Sequence, residues 1–339
     1  MTGPAAWTEP CTEPVAPGVF RIALPLPGDG LRAVNVYAVC DRDGLVLIDG
    51  GWAVEEAFSA LEKALGAIGY DLADIKRFLV THIHRDHLTL ALDVRRRFGA
   101  QVLLGLGEKP SLDRLIAGDR IGPLAHLHVW GAEELADRIP PSQLQGAKTE
   151  SYEPPDQWLD GPADILLADR TLRALPTPGH TRGHVVYADF DAGLLFAGDH
   201  VLPHITPSIG YEPVRSPLPL ADYLRSLLLV RSLPDMRLLP AHGPVVASVH
   251  QRTDELIEHH ERRLDTTAQA VDGQGRSAYQ AARTLPWTRH DRSFDSLDPL
   301  NQVLAVGETA AHLDVLVRRG LLHAVTSGGI VHYRQEHIS

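Results

Sequence analysis

Four short segments rich in histidine and aspartate constrain this chain more than any other feature of its sequence. They read THIHRDH (81–87), TPGHTRGH (177–184), LLFAGDH (194–200) and LPAHGP (239–244), and each follows a strand-like apolar run. Because strand ends converge on one rim of a sheet, segments far apart in the chain can meet in space. The pattern therefore predicts one shared site.

The residues of the first segment suit metal binding. His82 and His84 alternate along an extended backbone, so their side chains point the same way. Asp86 and His87 follow where the chain enters a helix, and two pairs of ligands from one short loop can serve two neighbouring metal ions. The later segments add three candidates: His180, Asp199 and His242. This set of nitrogen and oxygen ligands without thiolate suits zinc, with iron and manganese as alternatives.

Each later residue has a simpler explanation when it is taken alone. A lone histidine such as His180 or His242 is more often a surface or satisfied core residue, and Asp199 before His200 also suits a turn. All the segments occur in order after strand-like runs, however, and structural context is what gives a motif its value. The joint pattern favours a metal site.

Composition bounds the class of protein. The chain has 339 residues, enough for one large domain and a small one. Its formal net charge of −11 argues against non-specific binding to phosphate backbones, which requires clustered Lys and Arg. Cys11 and Cys40 are too few for a disulfide scaffold, the N-terminus lacks a signal-peptide pattern, and no apolar run is long enough for a membrane span. We therefore expect a cytoplasmic protein without a membrane segment.

The order of strand-like and helix-like patterns predicts sheets covered by helices, an α/β (α+β) architecture. Residues 1–17 are rich in Pro, Thr and Glu and are expected to be irregular, and 105–162 is less regular and is interpreted as a lid-like insert. Glu308–Arg319 is predicted to be a helix, and a hairpin around Gly328–Gly329 follows it. This is the sequence shape of a winged helix.

The ordered segments HIHRDH, GHTRGH, GDH and AHG resemble the signature of the metallo-β-lactamase superfamily, and LVLIDGG at 45–51 adds an early Asp–Gly turn. The resemblance covers about residues 18–250 and implies an αββα sandwich of facing sheets with helices outside. Residues 251–339 are then a small C-terminal winged-helix-like domain. Asp199 stands where the common zinc β-lactamases carry a cysteine ligand, so penicillin hydrolysis is not expected. Ala241 replaces a glycine that many relatives have.

The resemblance also implies ligand roles. One metal ion takes His82, His84 and His180. A second takes Asp86, His87 and His242, while Asp199 bridges the two ions and Asp49 lies behind the ligands, where it holds a histidine.

The second half of the chain resembles a narrower group within this superfamily. YLRSL (223–227), AHGPVV (241–246), a long helix with HHERR (259–263) and the winged-helix-like tail are similar to β-lactamase-like endoribonucleases and to the discrete thioesterases of polyketide pathways. The broader likeness also includes hydrolases of the glyoxalase II type. This second resemblance concerns architecture more than substrate.

The resemblance implies a binuclear hydrolase. Two divalent ions that share a water lower its pKa from about 15.7 towards about 7, and the resulting hydroxide attacks a carbonyl carbon or a phosphorus. Asp86 is predicted to be catalytic, orienting the nucleophile and passing a proton to the leaving group. His200, His204 and Tyr223 are candidates for contact with the substrate. A loop position without a role explains the two histidines equally well, and a packing role is favoured for Tyr223.

Three functions remain open at this point. The first is hydrolysis of a small ester, thioester or lactone, which the acidic charge favours; the second is an endoribonuclease or phosphodiesterase, which the tail favours. Residues 300–339 hold three Arg and three acidic residues, so the tail lacks the basic face of a nucleic-acid reader. The third is a metal-binding protein without activity, which the intact ligand set disfavours. A homodimer through the C-terminal module is a further option.

Overall fold

A first and a second β-sheet stack face to face between helices in this computed structural model, which describes residues 6–9, 11–119, 122–139, 151–288 and 291–335. In the first sheet the strands lie side by side in chain order, antiparallel up to the fourth strand and parallel from there on. They are β1 (Thr12–Ala16), β2 (Val19–Pro25), β3 (Ala33–Asp41), β4 (Gly44–Ile48), β5 (Ile75–Leu79), β6 (Gln101–Gly105) and β7 (Gln157–Leu159).

The second sheet consists of β8 (Ala163–Leu166), β9 (Thr171–Pro176), β10 (Val185–Asp189), β11 (Leu194–Gly198) and β12 (Arg237–Pro240). Its spatial order is β12-β11-β10-β9-β8, with β11 and β12 parallel and the other neighbours antiparallel. It follows that β9, β11 and β12 all run in one direction and end at the same edge.

A small third sheet has the order β13-β15-β14, built from β13 (Arg276–Ser277), β14 (His323–Ser327) and β15 (Ile330–Arg334). The helices are α1 (Glu55–Ala67), α2 (Arg85–Phe98), α3 (Lys109–Ile116), α4 (Pro219–Ser232), α5 (Val249–Gln269), α6 (Ala278–Ala282) and α7 (Pro299–Arg318). None of these helices in the described ranges combines the length and the apolar character needed to cross a membrane.

Both faces of the central strands are buried, and the side-chain alternation of a strand explains the layers. On β4, Leu45 and Leu47 pack with α1 and α2, whereas Val46 and Ile48 face the second sheet. Strand β10 alternates in the same way between the layer shared by the sheets and the layer under α4, α5 and α7. The αββα sandwich that the resemblance implied is therefore confirmed.

The N-terminal segment departs from the expectation of irregular structure. Residues Thr12–Ala16 form β1 and pair antiparallel with β2, with a register shift between Pro14 and Ala16. Proline has no N–H to donate, so a strand that contains it is confined to the edge of a sheet. An edge strand with an irregular register carries a weak sequence pattern, which is why composition alone suggested a loop.

The C-terminal helix α7 begins nine residues before the predicted start and packs against α4, α5 and α6. A hairpin of β14 and β15 follows it, with the predicted turn at Gly328–Gly329. Buried residues of α7 such as Val306 and Leu313 belong to the same apolar cluster as Val186 of the second sheet. The tail thus shares a core with the sandwich, and its identity as a winged-helix domain stays a prediction.

The described parts of the predicted insert are docked onto this shared core. Leu127 and Trp130 are buried in the same cluster as α7, and the Trp130 carbonyl accepts a hydrogen bond from the Tyr279 amide (3.1 Å). The Val129 carbonyl accepts another from the amide of Val331 on β15 (2.9 Å). Residues 140–150 of the insert lie outside the described residues, and its function as a lid stays a prediction.

Strand β6 passes so close to the segment before β10 that Gly105 has no room for a side chain. A Cβ on Gly105 would lie 2.1 Å from the carbonyl oxygen of Gly183, whereas one on Gly66 in α1 would meet nothing within 4 Å. We expect Gly105→Ala to lower the free energy of unfolding by about 1–3 kcal/mol through overpacking. Gly66→Ala should raise it by about 0.5–1 kcal/mol, since helical glycine is unfavourable. Denaturant unfolding of both variants measures this, and equal effects would contradict the close approach.

Candidate metal centre

The polar segments predicted from the sequence meet at one edge of the sandwich because each follows the carboxyl end of a strand. Asp49 comes directly after β4, residues 81–87 follow β5, and His180 lies beyond the end of β9. Asp199 comes directly after β11, and His242 follows β12. The strands that carry them are parallel within each sheet, so the ends share one rim.

Three imidazoles form the first ligand group. The Nε2 atom of His180 lies 3.2 Å from Nε2 of His82 and 3.1 Å from Nδ1 of His84. Ligand nitrogens on a tetrahedral zinc ion are about 3.3 Å apart, given Zn–N distances of about 2.0–2.1 Å. The spacing is therefore that of three ligands around one small cation. Oδ2 of Asp199 lies 3.5 Å from His180 Nε2 and completes a four-residue group.

The second ligand group combines a carboxylate with two imidazoles. Oδ2 of Asp86 lies 3.5 Å from Nε2 of His87 and 3.4 Å from Nε2 of His242. The ligand atoms of these three residues lie within 4.8 Å of one another. Oδ1 of Asp199 is 3.7 Å from His87 Nε2 and 3.4 Å from His242 Nε2. The two oxygens of Asp199 thus face different ligand groups.

Asp199 reaches this position because the residue before it is glycine. Gly198 has φ +50°, and a Cβ there would lie 2.7 Å from Nε2 of His184 and from the Thr81 side chain. Any other residue would push the chain after β11 away from the loop after β5. The amide of Asp199 donates to His184 Nε2 (3.2 Å), which fixes the backbone at this point.

Asp49 orients ligands of both groups from behind. Its carboxylate accepts hydrogen bonds from the Thr81 amide (2.7 Å), the Thr81 hydroxyl (3.0 Å) and Nδ1–H of His87 (2.8 Å). Because the Thr81 hydroxyl donates to Asp49, its oxygen accepts from Nδ1–H of His82 (3.0 Å). Both imidazoles therefore present Nε2 to the centre, as imidazole ligands with a fixed tautomer do. Asp49 itself has φ +62°, a strained conformation outside glycine.

Backbone carbonyls orient the other imidazoles. His84 donates Nε2–H to the Tyr211 carbonyl (2.9 Å), which leaves its Nδ1 free to face the centre. His180 donates Nδ1–H to the Ser208 carbonyl (2.7 Å). His242 donates Nδ1–H to the Ala33 carbonyl (2.9 Å). These acceptors fix the tautomer of each ring and leave the opposite nitrogen as a lone-pair donor.

The pKa values of the histidines differ between the two ligand groups. Burial and the neighbouring imidazoles lower the pKa of His82 well below its usual value, and burial together with His84 does the same for the pKa of His180. Burial also lowers the pKa of His87, but the carboxylates of Asp86 and Asp49 outweigh it and raise that pKa to about 10. A cation bound by His87 would therefore have to displace a proton.

The buried polar atoms of the centre fit divalent cations. Among the described residues, His87 Nε2, His242 Nε2 and Asp199 Oδ1 are buried without a hydrogen-bond partner. Such atoms are costly to leave unpaired, and metal ligation satisfies them. The histidines and aspartates proposed as ligands from the sequence thus converge in space, and the set fits two divalent ions.

Sequence reasoning missed the role of His184. The residue lies in the GHTRGH segment, and its ring stacks on His82 with centroids 5.1 Å apart. Its Nδ1–H donates to the Thr177 hydroxyl (2.9 Å), so Nε2 can accept from the Asp199 amide. Its place in the motif was the available signal, but nothing in the sequence distinguishes a supporting histidine from a ligand.

The residues predicted to contact substrate lie at different depths. His200 and Tyr223 are fully buried, and the Tyr223 hydroxyl donates to the His200 carbonyl (2.9 Å). His204 is exposed on the loop after β11. A narrow cavity of about 20 Å³ is lined by residues that include Ser208, Tyr211, Trp130 and Gly307, and by none of these three. Substrate contact by His200, His204 and Tyr223 stays a prediction.

Comparison with known proteins defines the class. The family model described as Metallo-beta-lactamase superfamily matches residues 29–242. The chain therefore belongs to the metallo-β-lactamase superfamily, and the cluster at the sheet rim is its His/Asp metal-binding site.

Relatives from several organisms resemble the whole chain or most of it. A protein named "Probable metallo-hydrolase YqjP" from Bacillus subtilis is 25% identical, over 93% of this chain and 97% of its own. "Lactamase-like protein aptB" from Emericella nidulans is 33% identical over 73% of this chain and 64% of its own. The crystal structure of a beta-lactamase domain protein from Burkholderia ambifaria superimposes with a TM-score of 0.82 at 27% identity, covering 99% of this chain and 96% of that one. The Bacillus subtilis and Burkholderia ambifaria matches cover more than nine tenths of this chain, so they extend the likeness to the C-terminal tail.

Replacement of Asp49 tests its role behind the ligands. We expect Asp49→Asn to weaken metal binding by about 10–100-fold, because the amide NH₂ faces an N–H donor where the carboxylate accepts one. Asparagine tolerates the left-handed backbone at this position. Metal content after dialysis against a chelator measures the effect.

Asp189→Asn is the matched control, since Asp189 is equally buried but pairs with Arg170 (3.0 Å) away from the centre. It should lose stability and keep its metal. Equal metal content in the Asp49 and Asp189 variants would show that Asp49 does not support metal binding.

Proposed function

We propose that this protein is a binuclear metal-dependent hydrolase that cleaves a small ester, thioester or lactone. The single observation that carries the proposal is the position of Asp199, whose two oxygens face two different ligand groups. His82, His84 and His180 hold one ion, and Asp86, His87 and His242 hold the other. The chemistry that two bound divalent ions would supply there, with zinc as our choice, is an activated water and a polarised scissile carbonyl.

The chain's own residues orient the reaction. The carboxylates of Asp86 and Asp199 keep 18% and 9% of their side-chain surface exposed, whereas His87 keeps none. The centre is therefore open on its carboxylate side, and a substrate carbonyl approaches there. The buried imidazoles behind it exclude water and hold the ligand geometry without reorganisation, which is the source of electrostatic catalysis.

Asp86 is the proton carrier in this proposal. Burial raises its pKa, but His87 and His242 outweigh that effect and hold the pKa well below its usual range. Asp86 is therefore a carboxylate at the start of the reaction. It accepts a proton from the attacking water and delivers it to the leaving alkoxide or thiolate, so that the product leaves neutral.

The packing of α7 supports a small substrate over a nucleic acid. The segment Glu308–Arg319 would be the reading helix of a winged helix, yet its residues Ala311 and Leu313 are buried against neighbouring helices. A helix enclosed in a core cannot enter a groove. The net charge of −11 points the same way. We accordingly propose small-molecule substrates and a cytoplasmic location.

Hydrolysis assays test the substrate class. The metal-loaded protein should cleave a glutathione thioester or an acyl lactone and leave a single-stranded RNA intact. His82→Ala should lower activity by more than about 10–100-fold, which is the loss typical of replacing a residue that only orients a ligand. His128→Ala is the matched control, because His128 is half exposed and lies outside the ligand groups. Cleavage of RNA alone would establish the nuclease alternative, and loss of activity in both variants would exclude the assigned centre.

A second experiment tests Asp86 itself. Asp86→Asn retains an oxygen ligand but cannot accept a proton, so kcat should fall by about 10²–10⁴-fold while both ions stay bound. The measurement combines steady-state kinetics with metal content of the same sample. Full activity with two ions bound would exclude proton transfer by Asp86, and loss of an ion would show a ligand role alone.

A further inference from the structure

Residues 208–215, which we name the strap, hold two histidines of the first ligand group through the backbone. The Ser208 carbonyl accepts from His180 and the Tyr211 carbonyl from His84. The amide of Gly210 donates in turn to the carbonyls of Gly179 (3.1 Å) and His180 (3.0 Å). No residue of the second ligand group has its outer nitrogen on the strap, since His87 uses Asp49 and His242 uses Ala33. Displacement of the strap would therefore disturb one ion site only.

The middle of the strap is fixed to the sandwich by Glu212. This buried carboxylate accepts from the Ser111 hydroxyl (2.8 Å) on α3 and from the Arg182 amide (2.6 Å), two residues after the ligand His180. The Val214 amide also donates to the Ser111 hydroxyl (3.1 Å). A buried carboxylate with these donors gives the strap a defined register against the ligand loops.

The C-terminal end of the strap faces the C-terminal tail through Arg215, whose Nη2 is buried without a hydrogen-bond partner among the described residues. Its side chain keeps 9% of its surface exposed and places Nη2 3.8 Å from Oδ2 of Asp314 on α7. The guanidinium carbon lies 5.1 Å from the Trp130 ring centroid, within the range of a cation–π contact. Asp314 is oriented in turn by the hydroxyl of Tyr333 on β15, which donates to Oδ1 (2.7 Å). The tail, the insert and the strap therefore meet at one largely buried cation.

We propose that Arg215 and Asp314 are positioning residues of the metal centre: by clamping the strap, the C-terminal tail sets the orientation of His84 and His180 and hence the strength of the three-histidine site. The proposal gives the tail a function within the sandwich. It rests on the two-ion assignment proposed above. Oriented outer partners of ligand histidines typically affect metal affinity strongly, and here the partner is a backbone segment whose position depends on distant residues.

Cobalt titration of metal-free protein tests the proposal. We expect Arg215→Met to weaken cobalt binding at the three-histidine site by about 10–100-fold and to leave the Asp86, His87 and His242 site unchanged. Arg215→Lys, which keeps a cation opposite Asp314, should recover most of the affinity. The visible spectrum of His242→Ala, in which the three-histidine site is complete, provides the reference for assigning each band.

Arg319→Met is the matched control. It removes an arginine after α7 whose guanidinium bonds Glu261 of α5 at 2.7 and 2.8 Å and which makes no ion pair with the strap. Thermal unfolding of the metal-free variants separates loss of stability from loss of geometry. Selective weakening of the three-histidine site in Arg215→Met alone supports the clamp. Equal weakening of both sites, no weakening, or the same result in Arg319→Met overturns it.

The unaltered protein tests the two-ion assignment separately. Binding of two cobalt ions supports that assignment, and binding of one contradicts it. The clamp is then judged on the three-histidine site alone by the same comparison of Arg215→Met with Arg319→Met. The two experiments therefore show separately whether the two-ion assignment fails and whether the clamp fails.

Discussion

The centre depends on one buried carboxylate, that of Asp49. Three donors converge on it, from the Thr81 backbone, the Thr81 hydroxyl and the His87 ring, and they replace the water that an ionised carboxylate would otherwise need. The interaction joins the end of β4 to the loop after β5. It orients His87 directly and His82 through Thr81, so ligands of both groups depend on the same anion. The strained backbone of Asp49 persists because these bonds over-determine it.

The sandwich and the meeting point of the polar segments could be predicted because they depend on the type and order of side chains in the sequence. The apolar run Leu45–Ile48 predicts a strand buried on both faces, and the structure divides its residues between two layers. The ligands follow strands that end at one rim, so their convergence follows from topology. The two oxygens of Asp199 face two groups, and the bridging role that the resemblance implied for this residue stays a prediction.

Other parts could not be predicted because their causes lie in the backbone or in distant contacts. The carbonyls of Ala33, Ser208 and Tyr211 orient the ligand histidines. Every residue has a carbonyl, so the residue types at these positions do not indicate this function. Helix α7 begins earlier than predicted, at Pro299, because Asp298 caps it by accepting from the Asn301 amide. The apolar residues of the tail continue the layer under the second sheet, a long-range contact that no local pattern indicates, and its division from the sandwich as a small domain stays a prediction.

The use of main-chain acceptors at Ser208 and Tyr211 has a consequence for divergence within the superfamily. Their carbonyls hold the ligand rings while their side chains line the narrow cavity. Substitution at either position changes the packing around this cavity and leaves the backbone acceptor in place, because every residue has a carbonyl. The side chains at these two positions are therefore free to vary without removing the acceptors that orient His84 and His180.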